Sequence, residues 1–169
     1  MITLNIVRNR DMTSSVKNAV KELYSKTAIC PELCRGVLPE DSEAVSDAFE
    51  LVQRVYEKRI KNTVSIQQLV FEKNTSLNEV KDMTNEYIKE LGNQHQIVTG
   101  VSRDDSGRYT STIIINPVSY LGGNNFYDKN SSYTDVLNNL SDHNIKLGVK
   151  KGVLFDNDSL LDSYTNDRL

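Results

Sequence analysis

The chain has few of the side chains that usually build a metal centre or a covalent catalyst. It contains two histidines, His95 and His143, and two cysteines, Cys30 and Cys34. No second cysteine pair completes a four-thiolate zinc site, and nothing in the composition indicates an oxidising compartment. We therefore interpret both cysteines as free thiols, rather than as a disulfide or half of a metal site. We expect His95 to be a polar residue at the entrance of a strand, and His143 to be a loop residue.

Basic residues are a second group with possible chemistry, because lysine and arginine bind nucleic-acid phosphates. Two clusters are candidate DNA-binding residues: Lys58, Arg59 and Lys61, then Lys146, Lys150 and Lys151. The formal net charge is −3, so the chain is not a generic polycation. The tail is acidic through four residues: Asp156, Asp158, Asp162 and Asp167. Either a basic patch on an acidic protein or two ordinary solvated surfaces would explain these clusters.

Length and composition predict one globular domain. The 169 residues are 38% hydrophobic and 25% charged, which is enough apolar material to bury a core. No apolar run approaches the ~20 residues needed to span a bilayer, and the first residues do not resemble a signal peptide. We expect a domain over residues 1–155, an acidic C-terminal tail over residues 156–169, a cytoplasmic location and no membrane partner.

Hydrophobic periodicity predicts the elements that would position these side chains. Apolar, β-prone runs predict strands at these segments: 2–6, 63–72, 96–101, 109–118, a short one at 125–127, and an edge strand at 146–155. Helices are predicted to begin at four polar caps: Ser14 or Ser15, Asp41 or Ser42, Ser76, and Ser132. Residues 28–40 should form an irregular crossing. This order predicts an α+β fold with a mainly antiparallel central sheet of about five strands and helices packed on one face.

The strand at 109–118 and its neighbours carry a family resemblance. Residues 108–120, RYTSTIIINPVSY, contain three isoleucines followed by Asn116, and Phe126-Tyr127 comes after a Gly-Gly turn. Three further segments match in order and spacing: Ser65–Glu72, Leu77–Gly92 and Gln96–Val101. Together these segments resemble the relaxases, the HUH-type mobilisation nucleases of plasmids and conjugative elements. The resemblance covers most of residues 60–145, and residues 1–60 fit more loosely.

The resemblance implies a tyrosine DNA endonuclease. In relaxases a tyrosine hydroxyl attacks a DNA phosphate, while a divalent cation held by histidines polarises the phosphoryl oxygen and lowers the barrier. The family tyrosine lies in the first helix, where Tyr24 is the candidate catalytic residue. An ungapped alignment with the family helix puts Glu22, and not Tyr24, at the position of the catalytic tyrosine. Tyr24 lies two residues later, and a two-residue step rotates a side chain by roughly 200° around a helix, onto a different face.

The metal ligands that the resemblance implies are missing from this sequence. At the positions of the family histidines stand Arg108, Thr110 and Thr112. A threonine hydroxyl is a weak, neutral ligand, and Arg108 would repel a cation. Rescue by Asp104 or Asp105 would require their carboxylates to point back along the sheet. We therefore expect no metal site and no cofactor.

These observations leave three hypotheses for function. The first is a relaxase-like protein that has lost metal-dependent nicking and acts by binding DNA or a mobilisation accessory protein. The second is an active tyrosine nicking enzyme with an atypical metal site or none. The third, motivated by the acidic net charge, is a protein-interaction module that does not bind nucleic acid.

Overall fold

Six strands and four α-helices make up the described part of the chain. The computed structural model describes residues 1–8, 15–56, 64–123 and 130–151. The strands are β1 (Ile2–Arg8), β2 (Ala28–Ile29), β3 (Ser65–Val70), β4 (Ile97–Arg103), β5 (Tyr109–Ile115) and β6 (Ile145–Lys151). The helices are α1 (Val16–Lys26), α2 (Ser42–Val55), α3 (Leu77–Leu91) and α4 (Asn130–Asn139). The predicted strand at 125–127 and the predicted acidic tail lie outside the described residues.

All six strands form one sheet in the order β2-β4-β5-β3-β1-β6. Neighbouring strands are antiparallel except β1 and β6, which are parallel. The α+β class, the mainly antiparallel sheet and the central place of β3 are therefore confirmed. The two-residue strand β2 falls in the segment predicted to be irregular. It is a strand because Ala28 and Ile29 pair with Val101 and Gly100 of β4, a contact that local sequence does not encode.

Helices cover both faces of the sheet, so the expectation of one covered face was wrong. On the first face, which we call the α1 face, Val7, Ile66, Val98 and Ile114 pack against α1 and α2. On the opposite face, which we call the α3 face, Leu4, Leu69 and Ile113 pack against α3 and α4. Every residue of β5 is buried, as expected for a strand with both faces covered.

Three helices begin at predicted caps. The Ser15 hydroxyl accepts from the amide of Asn18, and the Asp41 carboxylate accepts from the amide of Glu43. Ser76 and Glu79 form the reciprocal capping box, each side chain accepting from the other residue's amide. The predictions at these caps are confirmed. The fourth helix, α4, begins at Asn130, two residues before the predicted cap Ser132.

The two edges of the sheet differ. At the β4 edge the chain crosses back as β2 and then pairs once more, because Arg35 and Ile97 exchange two backbone hydrogen bonds of 2.9 Å. At the other edge β6 pairs with β1 over all seven residues. No described strand pairs with the outer side of β6.

No described helix combines the length and apolar character that crossing a lipid bilayer requires.

Candidate functional site

The two threonines at the implied ligand positions lie side by side in the buried layer of the α1 face. Side chains alternate between the two faces of a strand, so Thr110 and Thr112 point to the same face as Ile114, and Ile113 points to the opposite face. Thr112 is fully buried and Thr110 is 8% exposed. The amide of Gln68, the partner of Thr112 on β3, donates to the Thr112 hydroxyl at 3.2 Å. The Thr112 hydroxyl, which would have to serve as a metal ligand, thus accepts a hydrogen bond from a side chain of the neighbouring strand.

The cross-strand partners of these threonines on β4 are Gly100 and Ser102. Gly100 faces Thr112 and Ser102 faces Thr110. The Ser102 hydroxyl is buried and has no hydrogen-bond partner among the described residues. Gln68 and Ser102 were not among the predicted site residues. The available signal was weak: each is one of several polar residues in its strand, and only the strand register shows which threonine each one faces.

Arg108, the third implied position, closes the β4–β5 hairpin instead of facing the threonines. Its Nε atom donates to the Asp104 carboxylate at 3.0 Å, and its backbone amide donates to the same carboxylate at 2.7 Å. Burial raises the pKa of the Asp104 carboxyl, but hydrogen bonds from Ser106 and Arg108 and the Arg108 charge outweigh it and lower the pKa. Asp104 is therefore held in the hairpin turn.

Tyr24 lies on α1, but it points toward the crossing after β2. Its hydroxyl donates to the backbone carbonyl of Pro39 at 2.7 Å. Burial raises the Tyr24 pKa to about 12, and the nearby Cys34, Asp41 and Glu40 add to the shift. A phenol must lose its proton to attack a phosphate, so this environment opposes the role of nucleophile.

We call Thr110 and Thr112 the threonine row. The last turn of α1 is the part of that helix that reaches it. A methyl group on Gly100 would collide with the side chain of Thr27 and would lie 3.3 Å from Leu23 Cδ1. Leu23 and Thr27 therefore occupy the space above Gly100, next to Thr112. The structure brings α1 to this part of the sheet through these two residues.

Asn116, which follows the isoleucine run, joins three parts of the fold. Its side-chain amide donates to the Phe49 carbonyl of α2 at 3.1 Å and to the Gln96 side chain at 2.8 Å. Its side-chain oxygen accepts from Gln53 at 3.0 Å and from the Val118 amide at 3.2 Å. The motif residue that supported the family resemblance is thus a buried structural amide.

The two histidines lie away from the threonine row. The Nδ1 atom of His95 donates to the Asn116 carbonyl at 2.8 Å, and burial lowers the pKa of His95. Asn116 follows Thr112, the nearer of the two threonines, by four residues, which is roughly 13 Å along a strand. His143 pairs with Glu86 at 2.8 Å. Within the described ranges, no three histidine, cysteine or acidic side chains are grouped so that they could hold a metal ion.

Both cysteines are free thiols, as predicted. Cys30 packs in the core of the α3 face, whereas Cys34 packs against the core of the α1 face. Burial raises the pKa of both thiols, that of Cys34 to about 11. Both are therefore protonated near neutral pH, which makes them poor nucleophiles and poor metal ligands.

Of the predicted DNA-binding residues, Lys146 is the one whose side chain is described. It is exposed on β6, paired in register with Thr3. The backbone of Lys150 and Lys151 is part of β6, and the structure does not describe their side chains. Lys58, Arg59 and Lys61 lie outside the described residues.

A cavity of about 540 Å³ lies on another part of the surface, beside the first turns of α3. Phe71 and Met83 line it, together with four carboxylates: Glu72, Glu79, Asp82 and Glu86. Of the predicted residues, only His143 lines it. Acidic residues at the start of a helix also complement the helix dipole, which accounts for part of this cluster.

Comparison with known proteins gave no match: no family model fits the sequence, and no curated protein or solved structure is significantly similar.

Proposed function

We propose that this chain is a relaxase-like protein of a plasmid or conjugative element that has lost metal-dependent nicking and acts by binding DNA. A mobilisation accessory protein is the alternative partner. The observation that carries the proposal is the environment of Thr112, which is fully buried and whose hydroxyl accepts a hydrogen bond from Gln68. The proposal places the protein in the cytoplasm, together with the DNA.

The ligand chemistry of the threonine row supports the loss of the metal-assisted route. Catalytic divalent cations in proteins are held by imidazoles and carboxylates, which are stronger donors than a neutral hydroxyl. Here the corresponding positions of β5 carry the hydroxyls of Thr110 and Thr112, and β3 contributes the amide of Gln68. Arg108 is paired with Asp104. These residues stabilise the sheet through hydrogen bonds and do not supply a charged ligand set.

The position of Tyr24 supports the same conclusion. Its hydroxyl is engaged with Pro39, and its raised pKa keeps it protonated. An active enzyme would have to break this hydrogen bond before the tyrosine hydroxyl could attack a DNA phosphate. Binding without cutting does not require this change.

DNA binding should depend on salt, because phosphate contacts release counterions. On a single strand, three lysines at the β6 edge would give a slope of log affinity against log salt of about −2. We expect a fluorescent 30-nucleotide single strand to bind at 50 mM NaCl and to be released at 200 mM, measured by fluorescence anisotropy. The Lys146→Gln variant should reduce the magnitude of the slope by about 0.7. Lys89→Gln, an exposed lysine of α3, is the matched control and should bind like the unchanged protein.

A nicking assay tests the loss of activity. Supercoiled plasmid and single-stranded DNA would be incubated with manganese or magnesium and either the unchanged protein or Tyr24→Phe. We expect neither protein to form a covalent DNA adduct, so their products should be identical on a denaturing gel. An adduct with the unchanged protein that disappears in Tyr24→Phe would establish an active tyrosine enzyme. No DNA binding at 50 mM NaCl would favour a protein-interaction module instead.

A further inference from the structure

We propose that an exposed apolar stripe of α2 packs antiparallel against the same stripe of a second copy of the chain. The contact goes beyond the proposed function and does not depend on it. The stripe, which we call the α2 stripe, consists of Ala44, Ala48, Leu51 and Val55. Its members follow one another at steps of four, three and four residues, which is the spacing of a coiled-coil seam.

The α2 stripe is separate from the face by which α2 packs on the sheet. Val45 and Phe49 form that inner face and are fully buried. Ala44 and Ala48 each precede one of these residues by a single step, a rotation of about 100° around the helix. The other half of the stripe is open to solvent, since Leu51 is 55% and Val55 65% exposed. An amphipathic helix that already packs on a core does not need this second apolar row.

The exposed apolar surface continues past the end of α2. The Tyr56 hydroxyl donates to the Tyr120 carbonyl at 3.3 Å, and a methyl group on Gly123 would collide with the Tyr56 ring. Residues 120–123 therefore lie against the end of α2, and Leu121 is 61% exposed there. Six large hydrophobic side chains are exposed in the described part of the chain, and three of them lie on or beside the last turns of α2. Such clustering is typical of a protein-interaction surface.

The sizes of the stripe residues favour a second copy in antiparallel orientation. The first half of the stripe carries two alanines, and the second half carries a leucine and a valine. In an antiparallel pair Ala48 of each copy lies opposite Leu51 of the other, and Ala44 lies opposite Val55. Each large side chain then fills the space left by a small one, as close packing requires. A parallel pair would set alanine against alanine and leucine against leucine, so its two ends would need different helix separations.

The charges beside the stripe favour the same orientation. Asp47 and Arg54 flank the stripe on the side away from the sheet, and both are exposed. Neither forms an ion pair with another described residue. In an antiparallel pair the equivalent flanks meet, so Asp47 of each copy faces Arg54 of the other and the ion pair forms twice. In a parallel pair Asp47 would instead face Val52 of the opposite flank. Charge complementarity therefore identifies a second copy as the occupant.

Charge-exchange variants of the full-length protein test the orientation. Asp47→Arg sets arginine against Arg54 of the second copy, and Arg54→Asp sets aspartate against Asp47. In 50 mM NaCl we expect the unchanged protein to pass from monomer to dimer between roughly 5 and 500 μM, measured by sedimentation equilibrium. Each variant alone should have a dissociation constant on the order of tenfold higher, because both ion pairs become repulsive. An equimolar mixture of the two variants should recover the dimer, since arginines then face aspartates at both sites.

A pair of apolar variants tests the stripe itself. Leu51→Gln should raise the dissociation constant on the order of a hundredfold, because each dimer loses two buried leucines. Leu77→Gln is the matched control, since Leu77 is an exposed leucine of α3, and it should dimerise like the unchanged protein. All four substituted positions are exposed, so the variants should fold, which far-UV circular dichroism and thermal unfolding verify.

Each outcome decides the proposal. A protein that remains monomeric up to roughly 500 μM would overturn it. A dimer that forms equally well in both single charge variants would place the contact elsewhere, as would equal dissociation constants for Leu51→Gln and Leu77→Gln. Weak self-association of each charge variant together with dimerisation of their mixture would establish the antiparallel contact. DNA binding enters none of these measurements, so they stand whether or not the proposed function holds.

Discussion

Gln68 and Thr112 show how a residue can occupy a chemically suggestive position and serve the fold instead. The sequence placed Thr112 at an implied ligand position, but it contained no indication that Gln68 would face it. That partnership depends on the register between β3 and β5, which is set by contacts 44 residues apart. Tyr24 shows the same limit, because the carbonyl that accepts its hydrogen bond belongs to Pro39 in a crossing that could not be predicted in detail.

Replacing Thr112 by valine tests the structural role of its hydroxyl. Valine keeps the shape but leaves the Gln68 amide without this acceptor, and losing a buried partner costs about 1–3 kcal/mol. We expect Thr112→Val to lower the free energy of unfolding by this amount in urea titrations. Thr110→Val is the control, because that hydroxyl has no hydrogen bond to a described residue, and it should cost less. Equal stability of Thr112→Val and the unchanged protein would contradict this role.

At the scale of elements, local signals were predicted well and distant pairings were not. The caps at Ser15, Asp41 and Ser76 are encoded within four residues, so the sequence was enough to find them. The hairpin between β4 and β5 was equally clear from its turn residues. The strand β2 and the covering of both sheet faces depend on contacts across the sheet. β5 has three consecutive polar residues followed by three isoleucines, and this order does not by itself show whether one face of the strand or both are covered.

The contact between α1 and β4 at Gly100 allows a test of how α1 is seated. Gly100→Ala should destabilise the protein by about 1–3 kcal/mol, because the added methyl group collides with Thr27. Thr27→Gly removes the obstructing atoms, so the alanine should cost less in that background. A double-mutant cycle measured by thermal unfolding would give the coupling. Additive effects of the two substitutions would mean that α1 does not rest on Gly100.

At the scale of the whole molecule, the half-buried His95 predicts acid sensitivity. Burial lowers its pKa in the folded state, whereas an unfolded chain has the ordinary value of about 6.5. The unfolded chain therefore binds the proton more readily, and stability is lost as the pH falls from about 6.5 through the lower pKa of the folded state. We expect the free energy of unfolding to fall between pH 7.5 and pH 5.5. Asp104, Glu32 and Glu79 have lowered pKa values and act at more acidic pH.

A His95→Asn variant isolates this contribution, because asparagine does not titrate. Its overall stability is expected to be lower, since the imidazole bond to the Asn116 carbonyl is lost. Its stability should nevertheless change less between pH 7.5 and pH 5.5 than that of the unchanged protein, measured by urea unfolding at both values. The same change in both proteins would show that His95 is not the group responsible.

The parallel pairing of β6 with β1 has a consequence for how the chain folds during synthesis. β1 lies between β3 and β6, so its second partner is made last of the described strands. Ile145 follows Arg8 by 137 residues, which takes roughly 7–27 s at about 5–20 residues per second. From the synthesis of β3 until that of β6, β1 is the edge of an unfinished sheet on the ribosome. A pause in translation before residue 145 would prolong the time in which this strand can pair with another nascent chain.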